Sequence, residues 1–233
     1  MQGTLYGIGI GPGDPELLTL KAVRLIREAD IIALPQQGAH KEITALEIVK
    51  QAVDLTAKPL MFLPMPMTKD EQLLNSSHDH AAALIGEQLE QGKNICFLTL
   101  GDPSIYSTYI YVHNRVLSAG YSAQLIAGIT SFCAVAARLN HGLVEREQML
   151  HVIPGTYNSE DFSYLDLPGT KVIMKSGKSI GKLRDEIHKR NLQMQSSMVE
   201  CCGMKNERVY HTLENIDENS NYFSLVVVKE RMV

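Results

Sequence analysis

Cysteine is scarce and shows no pairing pattern. The four present, Cys96, Cys133, Cys201 and Cys202, offer no Cys-x-x-Cys spacing, and two are adjacent within a β-like run. Neither a disulfide framework nor a structural zinc site is suggested, metal ligation is not expected, and buried thiols are. Long apolar runs are absent too: residues 31–34 and 225–228 are among the longest and fall far short of a bilayer's width. The opening MQGTLYGIGIGPGDP has no basic start, and its glycines and proline interrupt any signal-peptide core, so a cytoplasmic, membrane-free protein is expected. Charge of one sign is also lacking. A formal net charge of -4 advertises no nucleic acid, and a polyanionic small molecule would need a local basic cluster.

Two nucleotide signatures are missing where they are most tempting. Residues 5–10 read as a strand running into Gly11-Pro12-Gly13-Asp14-Pro15. A dinucleotide G-x-G-x-x-G begun at Gly7 puts Pro12 at its third glycine, and begun at Gly9 puts Asp14 there. Pro12 also removes a backbone donor that a pyrophosphate would use. What survives is a tight turn that brings backbone close to some other ligand. Gly177-Lys178-Ser179 resembles the end of a phosphate-binding P-loop, yet Val172 stands where that motif needs glycine. His78 and His80, at i and i+2 on one helix, point to different faces and are expected to be solvated rather than metal ligands.

The composition, 45% hydrophobic and 21% charged, suits a globular chain of one large or two compact domains. Short apolar strands at residues 31–34 (ended by Pro35), 60–63, 95–100 and 122–127 alternate with helical patterns at 17–28, 43–53, 75–91 and the stretch after Asp102. Asp14 or Thr19 would cap the first helix, and Gly92 would close the third. That alternation predicts an α/β fold with a mostly parallel sheet over residues 1–128. After a helix at 132–139, strands at 150–153, 171–174, 197–202, 208–213 and 223–228 surround a single helix at 180–190. They predict a second, mixed-sheet α/β domain over 129–233.

Two strand ends stand out. The run at 95–100 stops at Gly101-Asp102-Pro103, where glycine lets a ligand approach the backbone and Pro103 holds Asp102 extended at the strand's carboxyl end. Open α/β sheets bind ligands at that edge. Asp102 could equally N-cap the following helix with Pro103 at its first position. The strand at 122–127 stops at Gly128-Ile129-Thr130-Ser131, whose free helix-start donors suit a carboxylate or ribose oxygen; a plain Thr or Ser cap reads as well.

These segments, Gly7-x-Gly9-x-Gly11-Pro12-Gly13-Asp14-Pro15, the run from Thr99 to Thr108 (TLGDPSIYST) and Gly128-Ile129-Thr130-Ser131-Phe132, together resemble the tetrapyrrole methylases. The likeness spans nearly the whole chain. Within the family, the Leu-Gly-Asp-Pro-Ser-Ile-Tyr-Ser-Thr run, Pro64-Met65-Pro66-Met67-Thr68 and Ser131-Phe132 are most similar to the C-20-methyltransferases of precorrin-2 or cobalt-factor II.

The resemblance implies two α/β domains with the active-site cleft between them, a homodimer, and S-adenosylmethionine as methyl donor to a small-molecule tetrapyrrole. It implies a donor site at Pro12, at Leu100, Gly101 and Asp102 with Ile105 and Tyr106 behind, at Thr130 and Ser131, and at Met174 and Gly203. Methyl transfer from a sulfonium to an electron-rich carbon asks chiefly for alignment, and needs no covalent nucleophile. Asp102 is the candidate catalytic residue, a fixed carboxylate facing the positive charge that spreads over the macrocycle. Arg115, Arg138, Lys175 and Lys178 are candidate partners for the acceptor's carboxylates. A methylase for another ring position, such as uroporphyrinogen III C-2/C-7, remains the alternative. A nucleotide-dependent reductase or a nucleotide-binding module stands further off.

Overall fold

The computed structural model describes residues 1–36, 44–155, 160–214, 220 and 222–229, without the side chain of Lys178. The chain divides into two compact units, Met1–Thr130 and Ser131–Val233.

The first unit carries strands β1 (Thr4–Gly9), β2 (Ile31–Gln36), β3 (Leu60–Pro64), β4 (Ile95–Thr99) and β5 (Ser122–Ile126). Its helices are α1 (Leu20–Glu28), α2 (Thr44–Val49), α3 (Glu71–Glu90) and α4 (Tyr109–Ser118). The five strands pair in parallel, in the order β3-β2-β4-β1-β5. A parallel sheet covered on both faces needs strands apolar on both sides. β4 meets that demand, since Ile95, Cys96, Phe97 and Leu98 are all buried. On one face Ala81, Ile85 and Leu89 of α3 and Tyr109, Val112 and Val116 of α4 pack against Leu5, Ala33, Leu63 and Phe97. Their spacing of three or four residues is the inward stripe of an amphipathic helix.

The connections fix where the sheet opens. From β1 the chain crosses β4 to reach β2, whereas from β4 it crosses β1 to reach β5. Crossovers of one hand therefore leave these neighbouring strands toward opposite faces. The carboxyl ends of β1 and β4 thus form the topological switch point, where an α/β sheet opens a crevice.

Several boundaries differ from the pattern reading. Asp14 caps a 3-10 turn, Pro15–Leu17, and Thr19 separately caps α1, accepting from the Ala22 N–H at 3.1 Å. Pro35 lies inside β2 rather than ending it. The N–H of Ile32 donates toward the start of β3 and that of Ile31 toward the start of β4, so Pro35 turns its missing donor to the β4 side, where pairing has already stopped at Ala33. Helix α3 begins at Glu71, earlier than the polar run suggested, because Asp70 accepts from the N–H groups of Gln72 and Leu73. Gly92 closes it at φ +80, with Gly92 N–H bonded to Leu89 O and Lys93 N–H to Gln88 O. Helix α4 begins only at Tyr109, which leaves Tyr106 in the turn before it. Ile43, expected in the second helix, falls outside the described residues.

In the second unit, α5 (Ser131–Leu139) and α6 (Ile180–Lys189) flank strands β6 (Leu150–Pro154), β7 (Thr170–Met174), β8 (Ser196–Glu200), β9 (Arg208–Tyr210) and β10 (Ser224–Val228). The order is β6-β7-β10-β8-β9, with β6 and β7 parallel and the other pairs antiparallel, the mixed sheet that the sequence predicts. Alternation along β10 divides the core between its faces: Val226 and Val228 meet Ile180, Leu183 and Ile187 of α6, while Leu225 and Val227 meet Val135 and Leu139 of α5.

Cysteine burial holds only in part. Burial pushes the Cys96 thiol up to about 12, and Cys201 is also buried, but Cys133 on α5 is exposed and Cys202 only half-buried. The adjacent pair lies in the turn beyond β8, with Cys201 at φ +49, and not within the strand. Among the described residues no helix is long and apolar enough to cross a membrane.

Candidate functional site

Three neighbouring strands of the first unit, β4, β1 and β5, end in glycine turns, and the three turns touch backbone to backbone. A Cβ built on Gly9 would stand 2.6 Å from Gly128 N and 2.8 Å from Gly101 O. One built on Gly128 would stand 2.2 Å from Gly101 O and 2.7 Å from the Gly9 carbonyl carbon. Backbone cannot yield as a flexible side chain can, so these two positions require glycine for packing. Gly11 and Gly101 also bridge each other, with Gly101 N–H to Gly11 O at 2.8 Å and Gly11 N–H to Gly101 O at 3.3 Å. Gly101 itself, at φ +68, has nothing among the described residues within 4 Å of where its side chain would be. Its bare backbone faces open space.

Asp102 does not cap a helix. Its Oδ1 accepts from the Ser104 N–H at 2.8 Å and from Ser104 Oγ at 2.5 Å, and its Oδ2 accepts from the Gly128 N–H at 2.9 Å. The first pair makes an Asx turn, the local bond that aspartate offers the backbone two residues on. The second ties the turn after β4 to the turn after β5. Burial pushes this carboxyl's pKa up, but the donors from Ser104 and Gly128 outweigh it and hold the group below the usual carboxylate range. Asp102 therefore stays ionised at neutral pH.

The remaining residues of these loops are placed as follows. Pro12 is buried directly after Gly11; Leu100 and Ile105 are half-buried on either side of the Asx turn. Tyr106 is 45% exposed at φ +47, a strained conformation for a bulky side chain and one that collects at functional sites. Thr99 Oγ1 and Ser107 Oγ lie 2.8 Å apart, and Ser107 Oγ accepts from the Tyr109 N–H at 3.3 Å. Among the described residues Thr130 Oγ1 is buried with no hydrogen-bond partner, so it serves as no cap there and is left for a polar group to satisfy. Ser131 opens α5. Pattern reading missed Ser104 and Ser107; the Asp-Pro-Ser spacing of an Asx turn could have found the first.

In the second unit, Met174 ends β7, half-buried, just before Lys175 at φ +58. Gly203 is exposed at φ +76, and its N–H is committed to Glu207 Oε2 at 2.8 Å. Glu207 also pairs with Arg138 at 2.5 Å.

Of the other candidate cations, Arg115 has a structural duty. Arg115 holds Asp79 at 2.5 Å, Asn75 at 2.9 Å and the Tyr111 carbonyl at 3.0 Å, which joins α3 to α4. Burial lowers the pKa of the Lys175 ammonium, which lies 6.0 Å from the Tyr222 ring centre. Lys178's side chain is outside the described residues. His78, expected in solvent, is 5% exposed and stacks on Tyr111 at 5.1 Å, whereas His80 is exposed. Among the described residues no group of three or more metal-ligating side chains gathers.

A hollow of about 340 Å³ opens at the carboxyl ends of β2 and β3, on the same sheet edge as the glycine turns. Pro64, Met65 and Leu73 give it apolar wall, and Gln36, Ser77 and His80 add polar groups.

Comparison with known proteins shows the family. The family model described as Tetrapyrrole (Corrin/Porphyrin) Methylases matches residues 4–217. The chain is 33% identical over 228 residues to a probable cobalt-precorrin-2 C(20)-methyltransferase of Methanocaldococcus jannaschii, covering 97% of this chain and 95% of that protein. It is 31% identical to a precorrin-2 C(20)-methyltransferase of a Sinorhizobium species, again over 97% and 95%. Its fold matches the crystal structure of a cobalt precorrin-4 methyltransferase with a TM-score of 0.72 at 16% identity, covering 97% and 94% of the two chains. The chain belongs to the tetrapyrrole methylase family.

Proposed function

We propose that this protein is the methyltransferase that moves a methyl group from S-adenosylmethionine to C-20 of precorrin-2 or cobalt-factor II in cobalamin synthesis. The observation that carries the reading is the joined set of glycine turns at the β1, β4 and β5 tips. They leave Gly101 facing open space and Asp102 ionised beside it. The ring position follows the names of the relatives that span the whole chain.

When bound, the donor supplies an electrophilic methyl on a sulfonium. The chain's part is to hold and align. Backbone of Gly101 and Leu100, the Pro12 turn, Ile105 and Tyr106 would border it, and the unsatisfied Thr130 hydroxyl with Ser131 would meet its polar groups. Met174 and Gly203, in the second unit, are proposed as further donor-binding residues on the family resemblance. Asp102 keeps its negative charge in place as positive charge moves to the acceptor, an electrostatic contribution that needs no reorganisation during transfer. The hollow beside β2 and β3, with apolar and polar walls, suits part of a flat macrocycle that carries polar side chains. We further place the enzyme as a cytoplasmic homodimer acting on a small molecule, without nucleic acid or membrane. The net charge of -4 supports the absence of nucleic acid, and the homodimer rests on the family resemblance.

The test is incubation with S-adenosylmethionine and either precorrin-2 or cobalt-factor II, followed by mass and NMR analysis. One added methyl at C-20 supports the proposal, and the better acceptor of the two identifies the substrate. Methylation only of uroporphyrinogen III, at C-2 and C-7, would move the reading to the alternative ring position.

A further inference from the structure

We infer that Ser104 is a positioning residue: by holding Asp102 in one rotamer it locks the β4 and β5 turns into a preformed methyl-donor seat. The inference rests on reading that edge as the donor site.

An aspartate at a strand end has several staggered side-chain wells open to it. Here two donors from one residue, the Ser104 N–H at 2.8 Å and Oγ at 2.5 Å, converge on Oδ1 and select one well. With Oδ1 so held, Oδ2 meets the Gly128 N–H at 2.9 Å, 26 residues away in sequence. Gly128 sits at the head of the loop that carries Thr130 and Ser131, and Asp102 ends the loop that carries Leu100 and Gly101. The bond therefore sets the spacing of two of the three turns. Ser104 itself is exposed and buries little, so losing its hydroxyl should leave the core intact while loosening the seat. A group that acts only through charge at Asp102 would not respond to that loss.

The test compares Ser104→Ala and Ser104→Thr with the wild-type chain. Calorimetry with S-adenosylhomocysteine and steady-state kinetics with S-adenosylmethionine report on the seat. Amide hydrogen exchange at Gly128, measured by NMR without ligand, reports on the bond. For Ser104→Ala, we expect Kd and KM for the donor to rise about three- to tenfold, the weight of one charge-assisted hydrogen bond at a half-exposed site, with kcat within about twofold. Gly128 exchange should quicken, and Ser104→Thr, which keeps the hydroxyl, should restore both. Unchanged donor affinity with unchanged exchange overturns the inference, as does a fall in kcat at constant KM or a Ser104→Thr protein as impaired as Ser104→Ala. If wild-type protein takes up no S-adenosylhomocysteine, the methyl-donor reading fails. Gly128 exchange alone then decides whether Ser104 holds Asp102 in place.

Discussion

Asp102 Oδ2 accepts the Gly128 N–H at 2.9 Å, a single bond that joins the turns following β4 and β5 across the end of β1. Because Oδ1 is also occupied, by Ser104, the carboxylate is both a fixed negative charge and a mechanical tie. Replacing Asp102 with alanine should therefore cost turnover well over tenfold and weaken donor binding as well. Kinetics at saturating donor separate the two losses. A variant with wild-type kcat and KM would remove Asp102 from the site altogether.

The same carboxylate makes an acid-side prediction. A carboxyl whose folded pKa is depressed contributes stability that is complete above its unfolded value and disappears as pH falls through the folded one. In the folded protein Asp102 stays ionised through the ordinary carboxylate range, so affinity for S-adenosylhomocysteine should be flat with respect to Asp102 from pH 8 down to about 4 and decline only below that range. Calorimetry across that range reads it directly. A loss centred near neutrality would point to a different group.

The glycine turns predict a contrast between two substitutions. In Gly128→Ala the new methyl would lie 2.2 Å from Gly101 O, so the turns must separate, at a cost of at least about 2 kcal/mol. In Gly142→Ala the nearest neighbour is Val144 O at 3.8 Å, and the change should stay within about 0.5 kcal/mol. Denaturant unfolding of both proteins checks the ranking. Equal stabilities would mean that the turns are not in contact.

Tyr106 should separate binding from stability. Its φ of +47 stores strain that glycine would relieve, while glycine adds unfolded-chain entropy of similar size, about 1 kcal/mol each way. Tyr106→Gly should thus unfold at nearly the wild-type denaturant midpoint yet bind S-adenosylhomocysteine at least about threefold more weakly, the loss of one partly exposed ring contact. Stability and affinity falling together would make Tyr106 a packing residue.

His78 predicts an acid sensitivity of the first unit. Burial, with Arg115 nearby, lowers its pKa, partly offset by Asp79. A histidine kept neutral by the fold contributes stability that is complete above about pH 6.5 and falls as pH drops from there toward the lower folded value. His78→Phe, which keeps the stack on Tyr111, should flatten the fall in stability between pH 7 and pH 5. Because burial also lowers the His113 pKa, some slope should persist. Urea unfolding at the two pH values measures the difference.

Much of the fold was legible because periodicity and strand-end punctuation agree. The alternation of apolar runs with helical stretches gave the parallel sheet, and fewer helices between later strands gave the mixed one. The turns at Gly11, Gly101 and Gly128 were visible from their residues, since a strand that stops at glycine marks close backbone approach. Their mutual contact was not, because it depends on the strand order β4-β1-β5, and long-range pairing leaves no local trace. Asp102 shows the same limit. Asp-Pro-Ser is equally the start of a helix or of an Asx turn, and only the position of Gly128 decides what the second oxygen binds. His78 looked like a solvated residue, and Arg115 like a partner for the acceptor's carboxylates, because the α3–α4 interface that buries one and engages the other is tertiary.

The central claim is that the backbone turns after β1, β4 and β5 hold the methyl donor together. A crystal structure of the protein with S-adenosylhomocysteine addresses it most directly. The account predicts the ligand in contact with Pro12, with Gly101 and Asp102, and with Thr130, whose hydroxyl gains a partner. Ligand bound away from the three turns, or touching one of them alone, contradicts it.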